Sequence, residues 1–158
     1  MNNNALTMDP RYAVSAKLAE CYVTIEGKRI LFGQAINMSA RMEKEKIEVP
    51  ILGRINKGHK ANGMTGTGSM TFYANTPIFK ELAYRYQETG EDIYFDMQVT
   101  NEDPTSGLGR QTTILRDCNF DSLDVANFDA DGEFLQDEMD FTFERFDFPE
   151  KFKALPNQ

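Results

Sequence analysis

The residues from Asn127 to Glu138 have the spacing of a calcium-binding loop. Asn127, Asp129 and Asp131 alternate, a glycine follows, and Glu138 stands at the twelfth position. An EF-hand supplies oxygen ligands to Ca²⁺ from such positions, but it needs a helix on each side. The flanking residues here alternate like strands, so we expect no metal site. The four residues are ligands only under an alternative, in which the chain is a monomeric β-sandwich binding module with a Ca²⁺ loop at 127–138.

Other reactive side chains do not form a catalytic arrangement. Acids occur as neighbouring pairs such as Asp137 and Glu138, and we expect them to be solvated rather than held in a pocket, as acid–base catalysis would require. His59 is the single histidine and falls in a glycine- and lysine-rich segment, where a surface position is expected. No serine has the Gly-x-Ser-x-Gly setting of a hydrolase. We therefore expect no enzymatic activity and no cofactor.

The net charge of −8 is concentrated near the end of the 158-residue chain. Residues 1–118 contain fourteen acids and fourteen bases, whereas residues 119–158 contain eleven acids and three bases. This acidity argues against a nucleic-acid binder, which needs a basic face to displace counterions. No apolar run reaches the length of a membrane-spanning helix. Cys21 and Cys118 are too few for a disulfide scaffold, and we expect both to be buried strand thiols.

Alternating apolar residues predict a mainly β fold with one flanking helix. We expect about six or seven antiparallel strands, in two packed sheets or an open barrel, because no βαβ alternation occurs. Residues 78–89 are predicted to form the helix, with Thr76 as N-cap, Pro77 as first residue and Gly90 as the stop. Its buried stripe is predicted to comprise Phe79, Leu82, Ala83 and Tyr86. Residues 1–17 are predicted to be a flexible arm, and residues 18–158 a single β domain.

A strand that runs on from residue 29 is predicted to end in a long hairpin and loop over residues 43–63. Met38 and Met42 share one parity, whereas Ile47 and Val49 have the other, which predicts a bulge or a change of sheet. Residues 53–63 contain three glycines, three bases and no acid, and they predict an eleven-residue loop. A solvated charged edge is the simpler alternative, but we favour an arm that contacts other subunits. Its candidate contact residues are Lys44, Lys46, Arg54, Lys57, His59 and Lys60.

Four segments taken in order resemble the tail tube proteins of contractile-tailed phages, and in particular those of PBSX-like defective prophages. The segments are GMTGTGSMTFY at 63–73, NEDPTSGLGR at 101–110, RDCNFD at 116–121 and FTFERF at 141–146. The resemblance covers residues from about 20 to 152. It implies two packed antiparallel sheets with one helix, and hexameric rings whose sheets join around a lumen and stack into a tube inside a sheath.

The resemblance also implies partners and a location. The partners are further copies of the chain, the tail sheath, and baseplate and terminator proteins. The location is a virion tail or phage-like particle that is assembled in the bacterial cytoplasm. The hairpin over residues 44–63 is implied to stack on the next ring, and a basic loop against an acidic face predicts salt-sensitive stacking.

A tube that passes DNA must not bind it, and acids facing the lumen would repel phosphates. We therefore predict that acids of the last quarter of the chain line the lumen. The candidates are Asp121, Asp124, Asp137, Asp140 and Glu144.

Overall fold

A computed structural model describes residues 7–155. These residues form eight strands, one α-helix and two short 3-10 helices, Pro10–Tyr12 and Pro104–Ser106. The elements are β1 (Ala19–Ile25), β2 (Lys28–Leu31), β3 (Ala35–Val49), β4 (Gly58–Tyr73), α1 (Ile78–Thr89), β5 (Phe95–Glu102), β6 (Arg110–Leu123), β7 (Gln136–Phe143) and β8 (Arg145–Glu150).

The strands form one continuous antiparallel network rather than two separate sheets. Its order is β2-β1-β5-β6-β7-β4-β3, and β8 also pairs with β6. This network has two halves that share strand β6, namely β2-β1-β5-β6 with β8, and β6-β7-β4-β3. The residues of β6 up to Cys118 pair with β5 and β8, and those from Asn119 onwards pair with β7. The predicted mainly β, antiparallel fold with one helix is thus confirmed, with its two layers joined through β6.

A positive backbone angle bends β6 where it passes between the halves. Asp117 has φ of 56°, and its amide donates to Asp96 Oδ1 at 3.1 Å. Beside it, Arg116 donates to Asp96 at 3.0 Å and to Asp147 at 2.8 Å, so one guanidinium links β5, β6 and β8. Hydrogen bonds from Arg116 and then Arg145 lower the pKa of Asp147. This network keeps the bend in place.

The hydrophobic core lies between the two halves and is closed by helix α1. The ring of Phe79 on the helix has its centroid 5.5 Å from that of Phe32, 5.6 Å from that of Phe72 and 5.2 Å from that of Phe95. Because Phe72 is on β4 and Phe95 on β5, this one side chain joins both halves. Aromatic pairs at these separations add specific stabilisation to their burial.

Helix α1 occupies the predicted residues, with two corrections. Thr76 Oγ1 accepts from the amide of Ile78 at 3.4 Å, and Gly90 ends the helix in the left-handed region at φ of 76°. Pro77, and not the predicted Thr76, is the N-cap residue, so Pro77 is also not the first helical residue. Tyr86 is exposed and not part of the buried stripe, because the helix turns that position past the core. In residues 7–155, no helix is long and apolar enough to cross a membrane.

The parity change in β3 corresponds to a bulge, as predicted. Lys44 pairs with Met64, whereas Lys46 pairs with Ala61, so the register shifts between them. The predicted loop over 53–63 is wrong, because β4 already begins at Gly58 and only residues 50–57 form the turn. Backbone pairing with β3 makes a strand of a polar, glycine-containing segment whose own β-propensity is low. The strand predicted from residue 29 is likewise divided into β2 and β3, which raises the strand count to eight.

Part of the predicted N-terminal arm lies outside the described residues, namely 1–6. Within the rest, the helix Pro10–Tyr12 is capped by Asp9, whose Oδ1 accepts from the amide of Arg11 at 2.9 Å. The amide of Ser15 donates to Asp103 Oδ2 at 3.0 Å. The stretch just before β1 is therefore held against the loop that follows β5.

Two glycines on β4 let aromatic rings lie directly on its backbone. Gly66 and Gly68 pair with Phe143 and Phe141 of β7. A Cβ atom at Gly68 would lie 2.5 Å from Phe141 Cζ and 2.8 Å from the carbonyl oxygen of Ser39. A side chain at either glycine would collide with these rings, so the close approach of β7 to β4 requires glycine here.

We predict that Gly68→Ala destabilises the chain by about 1–3 kcal/mol, because the new methyl group overpacks the core against a ring and a backbone carbonyl. Gly33→Ala is the matched control, since its Cβ would meet nothing within 4 Å, and its effect should stay within about 0.5 kcal/mol. Urea denaturation of both variants measures the difference. Equal stabilities would contradict the tight packing at Gly68.

Candidate functional site

The β6-β7-β4-β3 half presents one face of polar side chains away from the core. Ser39, Ser69 and Asp140 stand side by side across three strands, and Ser122 Oγ lies 3.1 Å from Asp140 Oδ2. Since side chains alternate along a strand, every second residue joins them. We call this surface the polar face. Its members on strands β3, β4 and β7 are Asn37, Ser39, Arg41 and Glu43 on β3, Thr65, Thr67, Ser69 and Thr71 on β4, and Glu138, Asp140 and Thr142 on β7.

Two of the predicted lumen acids lie on the polar face. Asp121 and Asp140 line one shallow groove together with Arg41. Glu138 is on the same face two residues before Asp140. It is not among the predicted lumen acids, although the alternation of side chains along β7 indicates that it shares a face with Asp140. Asp124 follows the end of β6, where its Oδ2 accepts from the amide of Glu138 at 3.0 Å.

Glu144 is exposed at the junction of β7 and β8, where its amide donates to the carbonyl of Arg116 at 3.0 Å. It thus lies at the bend of β6 rather than within the β7 ladder. The lumen role of the exposed acids remains a prediction.

Asp137 corrects both the lumen prediction and the expectation of solvated acids. It is completely buried, on the core side of β7 opposite Phe72. Lys80 Nζ of helix α1 lies 3.5 Å from its Oδ2, an ion-pair contact without hydrogen-bond geometry, and Asn127 Nδ2 lies 3.4 Å from its Oδ1. The strand alternation turns this residue inward, and the lysine supplies the compensating charge.

The residues with calcium-loop spacing do not converge on one point. Asn127 Nδ2 donates to the carbonyl oxygen of Gln136 at 2.6 Å, and Asp129 Oδ1 accepts from the amide of Asp131 at 3.0 Å. Glu138 is on the polar face of β7. Across residues 7–155, no group of three or more histidine, cysteine, aspartate or glutamate side chains is placed to hold a metal ion.

Beyond the bulge, β3 and β4 pair only with each other among residues 7–155, so this part of the hairpin projects from the sheet. Ile47 shares a face with Lys60, and Glu48 shares the other with His59. Apolar side chains on this hairpin stay exposed, namely Ile47, Val49, Ile51, Leu52 and Ile55. Contiguous exposed apolar groups of this kind mark interaction sites.

The predicted contact bases are spread over the whole hairpin rather than gathered in one patch. Lys57 pairs with Glu48 at 3.5 Å. Within residues 7–155, Arg54 and Lys60 make no ion pair, so their charge is available to another molecule. Their role in contacts between subunits remains a prediction.

Comparison with known proteins agrees with this architecture. The profile of the family described as phage tail tube protein matches residues 6–150. The chain belongs to the phage tail tube family. A relative in Bacillus subtilis strain 168, the phage-like element PBSX protein XkdM, is 44% identical over 130 residues, which are 80% of this chain and 88% of that protein. The resemblance to PBSX-like prophage proteins is therefore confirmed.

Solved structures share the fold of this tail tube protein. The tube-terminating cap of the anti-feeding prophage has a TM-score of 0.67 at 13% identity and covers 96% of this chain and 100% of its own. A chain of the sheath–tube complex of the PVC extracellular contractile injection system, in its extended state, has a TM-score of 0.63 at 14% identity and covers 88% and 93%. At such identities the likeness establishes the fold.

We predict that Lys80→Met lowers the free energy of unfolding by about 2–4 kcal/mol, because it leaves the carboxylate of Asp137 buried without a counter-charge. The double variant Lys80→Met with Asp137→Asn should be more stable than the single one, since no charge then stays buried. Lys28→Met, at an exposed lysine, is the control. Urea denaturation at neutral pH measures all three, and a double variant no better than Lys80→Met would contradict the ion-pair account.

Proposed function

We propose that this chain is the structural subunit of the inner tube of a contractile phage tail or phage-like particle, assembled as stacked hexameric rings. The observation that carries this is the pair of open edges of the β6-β7-β4-β3 half. In residues 7–155, β3 pairs with β4 alone, and the β6 segment from Asn119 to Leu123 pairs with β7 alone. Exposed edges are templates for pairing with another chain.

Pairing of these edges between neighbours would extend the half-sheet from subunit to subunit. A head-to-tail contact of this kind forms a closed ring when the rotation from each subunit to the next brings the last subunit back to the first. A sheet closed in this way has no free edge. The core face of each half-sheet is already covered by its own helix and the other half. The polar face is left to line the inside of the ring.

The polar face would make the lumen acidic and non-adhesive. Its acids include Asp121, Glu138 and Asp140, and Arg41 is the one base among the face residues named above. Such a wall repels the phosphates of DNA and offers no counterion release, so a polymer slides through without binding.

The proposed partners and location are those expected of a phage tail tube protein. A tube of this kind contacts a tail sheath along its wall and baseplate or terminator proteins at its ends, and assembles in the host cytoplasm before release of the particle. The structural neighbours support this, because they come from a sheath–tube complex and a tube-terminating cap. We propose a structural rather than enzymatic role.

We predict that the purified chain forms rings or tubes as its concentration rises. Open edges and exposed apolar hairpin residues favour association by mass action. Negative-stain electron microscopy and gel filtration over a concentration series measure this. A strict monomer at every concentration would contradict the proposal and favour the alternative of a monomeric binding module. Calorimetry would then measure whether that monomer binds Ca²⁺.

We predict that neutralising the polar face makes tubes retain DNA. Tubes of the triple variant Asp121→Asn, Glu138→Gln and Asp140→Asn should co-sediment more short duplex DNA at low salt than wild-type tubes, because phosphate repulsion is reduced. The control variant Glu81→Gln, Glu88→Gln and Glu91→Gln changes the net charge equally at exposed positions on and just after helix α1. Equal DNA retention by the two variants would show that the polar face does not line the conduit.

A further inference from the structure

The end of the β3–β4 hairpin, which comprises the turn and the first residues of β4, is apolar and basic. We call residues 50–60 the basic tip. Leu52 and Ile55 are fully exposed there. The same segment contains Arg54, Lys57 and Lys60 and no acid. A tip with these two properties fits a surface that is apolar and acidic.

The loop between β6 and β7 has the complementary composition. We call residues 124–135 the acidic loop, which contains four acids and no base. Phe128 is 92% exposed and Phe134 is 74% exposed. Large aromatic side chains so exposed are typical of contact sites, where rings supply most of the buried area.

The acidic loop is held in a defined position rather than hanging free. The amide of Ala74 donates to the carbonyl of Leu135 at 3.0 Å, and the ring of Phe134 lies 6.3 Å from that of Tyr73. Asn127 ties the middle of the loop to the start of β7 through the carbonyl of Gln136 at 2.6 Å. The loop therefore presents its aromatic rings from the end of the sheet at which β4 stops.

The basic tip and the acidic loop lie at opposite ends of the same ladder. The β3–β4 register runs from Ala35 opposite Phe72 at one end to Val49 opposite Gly58 at the other. Fourteen strand steps separate these ends by about 45 Å, so tip and loop of one chain are far apart. Two different surfaces at opposite ends form a head-to-tail contact that repeats along an axis without closing.

We propose that the basic tip of one subunit docks on the acidic loop of a second copy in the adjoining ring. Leu52 and Ile55 pack against Phe128 and Phe134 there, and Arg54 and Lys60 of the tip face the acids of the loop, whereas Lys57 is paired with Glu48 of its own hairpin. This rests on the proposed function and adds the surface on which the hairpin stacks. Charge attraction makes the contact sensitive to salt and selects its orientation.

Charge reversal with rescue tests the contact. We expect Arg54→Glu with Lys60→Glu to leave single rings or short stacks in electron micrographs, and Asp131→Lys with Glu133→Lys to do the same. All four changes in one chain should restore long tubes, because the attraction is rebuilt with its signs exchanged. The matched control combines the tip variant with Glu81→Lys and Glu88→Lys on helix α1, which should restore nothing. Failure of the four-fold variant to lengthen the stacks would overturn the inference.

Cross-linking gives a second readout that does not depend on tube length. Asn56→Cys in the tip with Ala130→Cys in the loop should, in assembled tubes treated with a short bis-maleimide, give a ladder of covalent oligomers. Asn56→Cys with Gln87→Cys on the helix is the control and should give none. The wild-type chain is the control for the native thiols and should give no ladder, because Cys118 is buried, Cys21 is partly buried, and burial raises the pKa of Cys21 to about 11 and that of Cys118 to about 12.

The outcomes separate this inference from the proposed function. Tubes that form normally but give no ladder overturn the docking of tip on loop and leave the tube role intact. A wild-type chain that forms neither rings nor tubes overturns both. Tubes with a ladder, and charge reversal with rescue, support both.

Discussion

Strand β6 pairs with strands of both layers of the fold, and the bend at Asp117 makes this possible. Before the bend its partners are β5 and β8, and after it the partner is β7. The left-handed backbone there is uncommon for a residue other than glycine, and the hydrogen bond from its amide to Asp96 helps to hold it. Arg116 adds two further carboxylate contacts from neighbouring strands. Without this bend, the sheet could not fold back over its own core.

The same bend creates the two faces on which the proposed assembly depends. Once the layers face each other, Phe79 of helix α1 fills the space between them and each strand must turn its apolar side inward. The polar face of the β6-β7-β4-β3 half is the surface left over. Gly66 and Gly68 allow the rings of Phe141 and Phe143 on β7 to lie on the backbone of β4, so that both rings are buried on the core side of this half.

The length of the β3–β4 ladder gives the molecule two unlike ends. One end carries the projecting β3–β4 hairpin, and the other carries the loop between β6 and β7 together with the start of helix α1. A subunit with unlike ends can repeat in one direction, which is what a tube requires. In the proposed assembly the edges along the sides and the contacts at the ends are separate surfaces, so ring closure and ring stacking would be altered by different substitutions.

Local patterns in the sequence determined much of this protein. The glycine after the helix marks the end of α1, since left-handed termination depends on neighbouring residues. The change of parity near Lys44 indicated the bulge, and the segments shared with tail tube proteins indicated the family. The concentration of acids after residue 119 also predicted an acidic surface, because charge is a property of composition.

Only the tertiary structure decided which way individual side chains point. Asp137 is one residue from Glu138 and chemically similar, yet it is buried against Lys80, because the register of β7 against β4 decides which residue faces the core. Residues 58–63 have the composition of a loop but form a strand, because β3 offers them a backbone partner. In both cases the deciding contact comes from residues distant in the chain, and no local pattern contains that information.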